Sequence, residues 1–427
     1  MKTIKVDYLA RVEGEGALRI RFKGDQVRDV ELRIFEPPRF FEAFLRGRSY
    51  LEVPDITARI CGICPVAYQM SSCAAIEDAV GATIAGALAD LRRLIYCGEW
   101  IESHALHMFL LHAPDFLGYP DAMTMARTHR EMVQRGLRIK KTGNALVRSV
   151  GGREVHPINV RIGGFHRAPE RGELEALMPE LAAAHEDAII AADWVAGFDF
   201  PDLSRDYELV ALRGDHTYPF IGTRIVSNKG LDIDVRDFDD AFEERQVPYS
   251  NALHAMVRQR GAYLCGPLAR FNLNFELLSD TAKDAARRAK LEAPCINPFK
   301  SIVVRAVEVV HALDEAIRII RGYQPPANSC VECAPRAAIG HGCSEAPRGL
   351  LYHRYQIGDD GLIHDAKIVP PTSQNQKSIE DDLLALAPQM IKLEHRAATA
   401  MAEHAIRNHD PCISCATHFL DLTLERE

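Results

Sequence analysis

Eleven cysteines stand in a chain of 427 residues, and six of them fall into Cys-x-x-Cys pairs: Cys61/Cys64, Cys330/Cys333 and Cys412/Cys415. Random scatter would give only about a quarter of one such pair. Thiols three residues apart on a helical turn point to one side, so each pair can present two thiolates to one centre. Thiolates are soft ligands suited to nickel, iron or zinc. The ordinary use is a zinc ribbon, with its pairs some ~15–20 residues apart. Here Cys61/Cys64 and Cys412/Cys415 lie at opposite ends of the sequence. Closing so long a loop costs only logarithmically more entropy, so zinc stays open, but the whole fold would have to build the site. The other five cysteines, Cys73, Cys97, Cys265, Cys295 and Cys343, read as small buried hydrophobes.

The flanks narrow the choice. The first pair lies in Arg59-Ile60-Cys61-Gly62-Ile63-Cys64, the second in Asp410-Pro411-Cys412-Ile413-Ser414-Cys415-Ala416-Thr417-His418. In this order and at opposite ends, they resemble the two signature segments of nickel–iron hydrogenase catalytic large subunits. The resemblance extends over most of the chain and is least tied to motifs between about 120 and 325. It implies that all four cysteines bind nickel, with Cys61 and Cys412 terminal and Cys64 and Cys415 bridging to an iron that carries carbon monoxide and cyanide. It also implies heterolysis of dihydrogen at a Lewis-acidic metal pair, with a terminal thiolate or a nearby charged group taking the proton.

Further residues acquire roles through the same resemblance. Glu13, in Arg11-Val12-Glu13-Gly14, matches the glutamate that passes protons away from nickel. Otherwise it is a carboxylate at a strand end. Arg348, in Ser344-Glu345-Ala346-Pro347-Arg348-Gly349, would face the open coordination position, with Pro347 lining the diatomic ligands and Asp410 as its acidic companion. A guanidinium stays charged when buried, which suits a metal–thiolate centre of roughly −2 formal charge. Without the resemblance, Arg348 is a surface arginine in a turn and Asp410 a helix N-cap before Pro411. Thr372, in Pro370-Pro371-Thr372-Ser373-Gln374-Asn375, would donate to a cyanide. These residue types also favour a plain turn. Glu42, His418 and the Ile368 carbonyl would hold a second, hard metal, magnesium. Alone, Glu42 would pair with Arg46 one helical turn on. Cleavage after His418 by a maturation endopeptidase is implied too, removing Phe419 to Glu427. Two positions depart from the pattern: Tyr68 where many relatives carry histidine, and Ser103 where they carry aspartate. Both departures look like the cytoplasmic, NAD(P)-linked and sulfhydrogenase alpha-subunit branch, a resemblance that also implies reduction of sulfur or polysulfide by the complex.

Periodicity supplies the elements that must carry these groups. Residues 4–36 alternate as strands, with a hairpin turning at Gly24-Asp25. Residues 66–115 read as helical with breaks near Gly81 and Gly98, and 172–198, 277–322 and 378–408 as further helices. Short strands are expected over 205–240 and a hairpin over 350–369, turning at Asp359-Asp360-Gly361. The sum is an α+β chain with a large helical core and peripheral β-hairpins. By resemblance this is the hydrogenase large-subunit fold, which a subunit of respiratory complex I shares. One unit over 1–427 is expected: an N-terminal β region (1–60), a mostly helical core (61–345), a hairpin segment (346–372), a C-terminal helical segment (373–418) and the tail (419–427).

Composition excludes other classes. A net charge of −8 lacks the basic footprint of a nucleic-acid binder. No apolar run reaches membrane-span length, and the opening Met1-Lys2-Thr3-Ile4 has no signal-peptide core. A cytoplasmic location is expected, although a subunit can be exported on its partner's signal. No Gly-x-Gly-x-x-Gly fingerprint and no further cysteine set for iron–sulfur clusters stands out. Electrons would therefore leave through an iron–sulfur small subunit, and beyond it through flavin- and NAD(P)-binding diaphorase subunits. Two competing readings remain: a dihydrogen sensor with the same metals, and a non-catalytic subunit like that of complex I, against which the four thiols argue. Cys330, Cys333, His341 and Cys343 form a further set that would suit zinc only if folded together.

Overall fold

The computed structural model describes residues 3–24, 26–36 and 40–417, so His418 and the tail call fall outside the described residues. Three antiparallel strands open the chain: β1 (Thr3–Val6), β2 (Gly16–Lys23) and β3 (Gln26–Ile34). Their alternation buries Leu18, Ile20 and Phe22 on one face, as strand geometry requires.

The helical core follows. α1 (Pro65–Val80) starts on a proline in its first turn and stops at Gly81, whose φ of 74° gives a left-handed C-cap. Nearly every residue of α1 is buried, because its apolar surface runs all round. α2 (Ala87–Leu106) passes through Gly98 without a break, which corrects the expectation there. Gly98 is instead a contact with α3 (Arg130–Gly151): a Cβ on it would lie 2.9 Å from the Gly143 carbonyl oxygen, and one on Gly143 would lie 2.6 Å from the Glu102 nitrogen. The missing side chains let two helix backbones touch. α2 then widens into a π-helical turn at His107–His112. α4 (Met178–Ala196), α5 (Pro267–Asn274) and α6 (Ser301–Gly322) complete the core, with α6 packed on both α2 and α4. The expected 277–322 helix is two, because Asp280–Arg288 ends well before α6 begins.

A second sheet covers this core. β4 (Ala338–Ala346), β5 (Gly349–Ile357) and β6 (Ile363–Val369) are antiparallel neighbours, and Ile221–Gly222 adds to the edge of β4. The expected hairpin is β5–β6; β4 is an additional strand. β4 lies against α1 so closely that a Cβ on Gly340 would stand 1.9 Å from the Ala75 carbonyl oxygen. α7 (Pro371–Met390) and α8 (His395–Arg407) follow. α7 packs its Ile379, Leu383 and Leu386 with Leu18, Ile20 and Phe22 of β2. The far ends of the chain then meet, Glu13 and Cys412 forming a parallel bridge. Among the described residues no helix is long and apolar enough to cross a membrane.

Candidate metal centre

The first pair is set by the start of α1. Cys61 is extended after a short turn, and Cys64 occupies the N-cap position before Pro65. The Cys61 sulfur accepts the N–H groups of Ile63 (3.3 Å) and Cys64 (3.4 Å). The second pair is set by a single helical turn, Ile413–Ala416, with Cys412 at its N-cap position and Cys415 inside it. The Cys412 N–H donates to Thr372 Oγ1 at 2.9 Å, and the Ile413 N–H to the Glu13 carbonyl at 2.9 Å. The four sulfurs of Cys61, Cys64, Cys412 and Cys415 all lie within 4.8 Å of one another and are buried. Cys61 and Cys412 are 3.5 Å apart.

Electrostatics at this cluster favour a bound cation. Burial pushes the Cys412 and Cys415 thiols well above their ordinary range. Hydrogen bonds from Cys412, then Cys415 and Cys64, hold the Cys61 thiol well below it. Four thiols crowded in a dry pocket share few negative charges by themselves; a soft metal replaces the remaining protons as it binds. The donor set therefore fits a thiolate-bound metal centre. Buried polar atoms beside it point the same way, since Tyr68 Oη and Arg348 Nη1 have no hydrogen-bond partner among the described residues. Tyr68 feels the charge of all four sulfurs.

Arg348 is buried with its Nε donating to the Asp410 carbonyl at 2.7 Å and 3.3 Å from Asp410 Oδ2. Burial opposes its charge, but Asp410 and then the sulfurs of Cys412, Cys64 and Cys61 keep it protonated. Asp410 is therefore not an N-cap; its backbone is left-handed, at φ 49°. Pro347 is buried beside Arg348. Thr372 lies in the first turn of α7 rather than in a plain turn, with its hydroxyl oxygen accepting from Cys412.

Glu13 is half-buried and touches the cluster directly. Its Oε2 accepts the Cys412 thiol at 3.1 Å and the Ser414 N–H at 3.0 Å. Ser414 Oγ lies 2.5 Å from Glu13 Oε1 and 3.1 Å from Glu36 Oε2. Ser414 and Glu36 were not singled out from the sequence, although Ser414 stands inside the second cysteine pair. Glu99 also went unnoticed. Buried on α2, it accepts the N–H groups of Val66 (2.6 Å) and Ala67 (3.0 Å), the first turn of α1. Burial holds its carboxyl well above the usual range. Ser103, one turn further on, is buried, and its hydroxyl has no hydrogen-bond partner among the described residues.

Glu42 does not pair with Arg46, which binds Asp365 instead. Glu42 Oε1 accepts the Ile368 N–H at 2.7 Å. Both residues line a cavity of about 180 Å³ together with Cys415 and Thr417. Ile368 thus meets Glu42 through its N–H. Cys330, Cys333, His341 and Cys343 are not assembled: among the described residues only the four-cysteine cluster and His112, Asp115 and His404 gather three or more ligand atoms. In that second group Asp115 is already claimed by Arg11 and Arg407, which leaves little charge for a metal. His104 binds Glu308, and burial takes His104, His107 and His112 to the neutral form.

Comparison with known proteins agrees with this geometry. Residues 39–153 and 268–418 match the family described as nickel-dependent hydrogenase. The chain is 34% identical to sulfhydrogenase 2 subunit alpha of Pyrococcus furiosus, covering 98% of this chain and 100% of that protein. It is 26% identical to NAD-reducing hydrogenase HoxS subunit beta of Cupriavidus necator, covering 98% and 95%. Among solved structures it is similar to an NAD+-reducing NiFe-hydrogenase in the H2-reduced state, with a TM-score of 0.87, 27% identity, and coverage of 98% and 100%.

Proposed function

The chain belongs to the nickel-dependent hydrogenase family, and on that premise we propose how its residues divide the work of splitting dihydrogen. It is the catalytic large subunit of a nickel–iron hydrogenase, and membership implies nickel and iron at its centre. The observation that carries the assignment of residues is the buried group of four sulfurs within 4.8 Å. By motif position Cys61 and Cys412 would hold nickel, and Cys64 and Cys415 would hold nickel and iron together. When bound, the metal pair supplies the Lewis acidity and electron acceptance for converting dihydrogen to two protons and two electrons.

The protein's own part is proton handling, charge balance and exclusion of water. A proton at Cys412 Sγ passes to Glu13 Oε2 across 3.1 Å. Ser414 Oγ, within reach of both Glu13 and Glu36, can donate to one carboxylate while accepting from the other once that one carries the proton. Such a hydroxyl conducts a proton without holding a charge. Glu36 is the outer station of this path. Arg348 offsets the negative thiolates from within the pocket, Asp410 orients it, Pro347 packs beside it, and Thr372 fixes the backbone of Cys412. By motif position Thr372 would donate to a cyanide, and Pro347 would line the diatomic ligands that the family's iron carries. By motif position Glu42, the Ile368 carbonyl and His418 would hold magnesium; of these, Glu42 and Ile368 line the cavity that Cys415 borders.

Electrons leave through an iron–sulfur small subunit. The NAD-reducing relative and solved structure support flavin- and NAD(P)-binding partners and a cytoplasmic site of action. Sulfur reduction is a second use suggested by the sulfhydrogenase relatives. The test is to purify the native complex, identify its subunits and metals, and assay dihydrogen uptake with NADP, NAD, polysulfide and a dye. Nickel and iron near one each, lost in Cys412→Ser, are expected. Stoichiometric zinc without dihydrogen uptake would sink the reading.

A further inference from the structure

The Arg348 turn is gripped by another arginine. Arg270, on α5, is fully buried. Its Nη1 donates to the Ala346 carbonyl at 2.8 Å and its Nη2 to the Pro347 carbonyl at 3.0 Å. These are the two peptide groups immediately before Arg348. The same guanidinium binds both oxygens of Glu308, each at 2.9 Å, through Nε and Nη2. Glu308 is fixed in turn by His104 Nε2 at 3.0 Å and the Tyr218 hydroxyl at 2.8 Å. The Trp100 ring lies 4.3 Å from the guanidinium carbon, so the fork can neither slide nor rotate. On the opposite side Gly266 leaves no slack, since a Cβ there would stand 2.6 Å from the Arg348 carbonyl oxygen.

A buried ion pair is a poor source of stability, because desolvation cancels most of the attraction and apolar packing does as well. What a planar fork provides that apolar packing cannot is fixed direction at several acceptors at once. We propose that Arg270 is a positioning residue that aims Arg348 over the metal centre by clamping the Ala346 and Pro347 carbonyls. This rests on the reading of Arg348 given above. Lysine at position 270 would keep the charge but could not reach Glu308 and both carbonyls together. The turn would then drift, and a displacement of about 1 Å at a reacting site costs on the order of 100-fold in rate.

The test is a double-mutant cycle on the assembled, nickel-loaded enzyme: Arg270→Lys, Arg348→Lys and the pair, read as dihydrogen oxidation per bound nickel. Arg270→Lys should lose activity about 100-fold with nickel retained. The pair should be no slower than Arg348→Lys alone, because the clamp then has nothing to aim. A merely structural role predicts losses that multiply, and that result overturns the proposal while leaving Arg348 in place. If Arg348→Lys is itself as active as the wild type, the reading of Arg348 falls and the clamp with it. Should Arg270→Lys fail to fold, Arg270→Met with Glu308→Leu, and with Glu345→Gln because Glu345 Oε2 also lies 3.1 Å from Arg270 Nη1, removes the buried charges together and enters the same cycle. If neither variant yields nickel-loaded protein, Arg270 serves stability alone and the proposal is wrong.

Discussion

The two cysteine pairs reach one centre by different means. Cys61 and Cys64 belong to the start of a 16-residue helix, whose first N–H groups are taken up by Glu99 from the neighbouring helix. Backbone structure places them. Cys412 and Cys415 ride on a four-residue turn that is hung from other parts of the chain. Thr372 holds it from 40 positions away and Glu13 from 399. The first pair is a fixed floor; the second is a flap fastened by hydrogen bonds. Changes around the floor should therefore read out as stability, and changes around the flap as metal loading and chemistry.

The largest expected effect concerns the flap's end. Nickel-loaded, active protein should terminate at His418, and chain extending to Glu427 should lack nickel; intact-mass measurement on active enzyme decides it. Next comes Glu13→Gln, which keeps the hydrogen-bonding shape but carries no proton. Dihydrogen oxidation should fall by about 10²–10⁴-fold with nickel retained, and hydrogen/deuterium exchange with solvent should stop. Wild-type turnover in this variant removes Glu13 from the proton path.

Acid should weaken the floor's side. Around α2, burial holds His104 and His404 down to about 4 and His107 and His112 well below their ordinary range. These imidazoles are neutral in the fold but gain protons in the unfolded chain below about 6.5. Their contribution is whole above that pH and is lost as pH falls toward 4. Glu102, raised by burial to about 7, and Glu99, raised well above its ordinary range, work the other way. Four imidazoles against two carboxyls leave a net loss in acid, so Tm should drop between pH 6.5 and 4.5. A Tm that rises across that interval contradicts the assignment. The smallest effects separate the two pairs directly. Glu99→Ala should cost about 1–3 kcal/mol by stranding two buried N–H groups, with activity per nickel unchanged. Thr372→Val should cost about 1 kcal/mol but lower nickel occupancy. Equal effects of the two on occupancy would erase the distinction between floor and flap.

The two outer cysteine pairs stood out by their spacing, whereas Glu13, Arg348 and Asp410 were singled out only through the family resemblance of the segments they stand in. Ser414, Glu36, Glu99, Arg270 and Glu308 were not singled out at all. Each is a polar residue in an apolar stretch, and nothing in its spacing says which distant group it meets. Gly98 shows a related limit. A glycine inside a helical pattern reads alike whether it kinks the helix or admits a neighbour, and only the facing Gly143 decides. β4 was missed because Gly340-His341-Gly342-Cys343-Ser344 has little intrinsic strand preference. Its pairing with β5 and its close seat on α1 impose the conformation.

The bridge between Glu13 and Cys412 also sets an order of events during synthesis. Cys61 and Cys412 are 351 residues apart, which at ~5–20 residues per second means about 20–70 s between their emergence from the ribosome. Throughout that interval the first thiol pair exists without its partners. No four-thiolate site exists for a metal to enter until the second pair has been made. The half-built site must be shielded from oxidants and from thiol-seeking metals until the second pair arrives. In cells short of that protection, the expected fault is full-length protein carrying the wrong metal, and no shortage of protein.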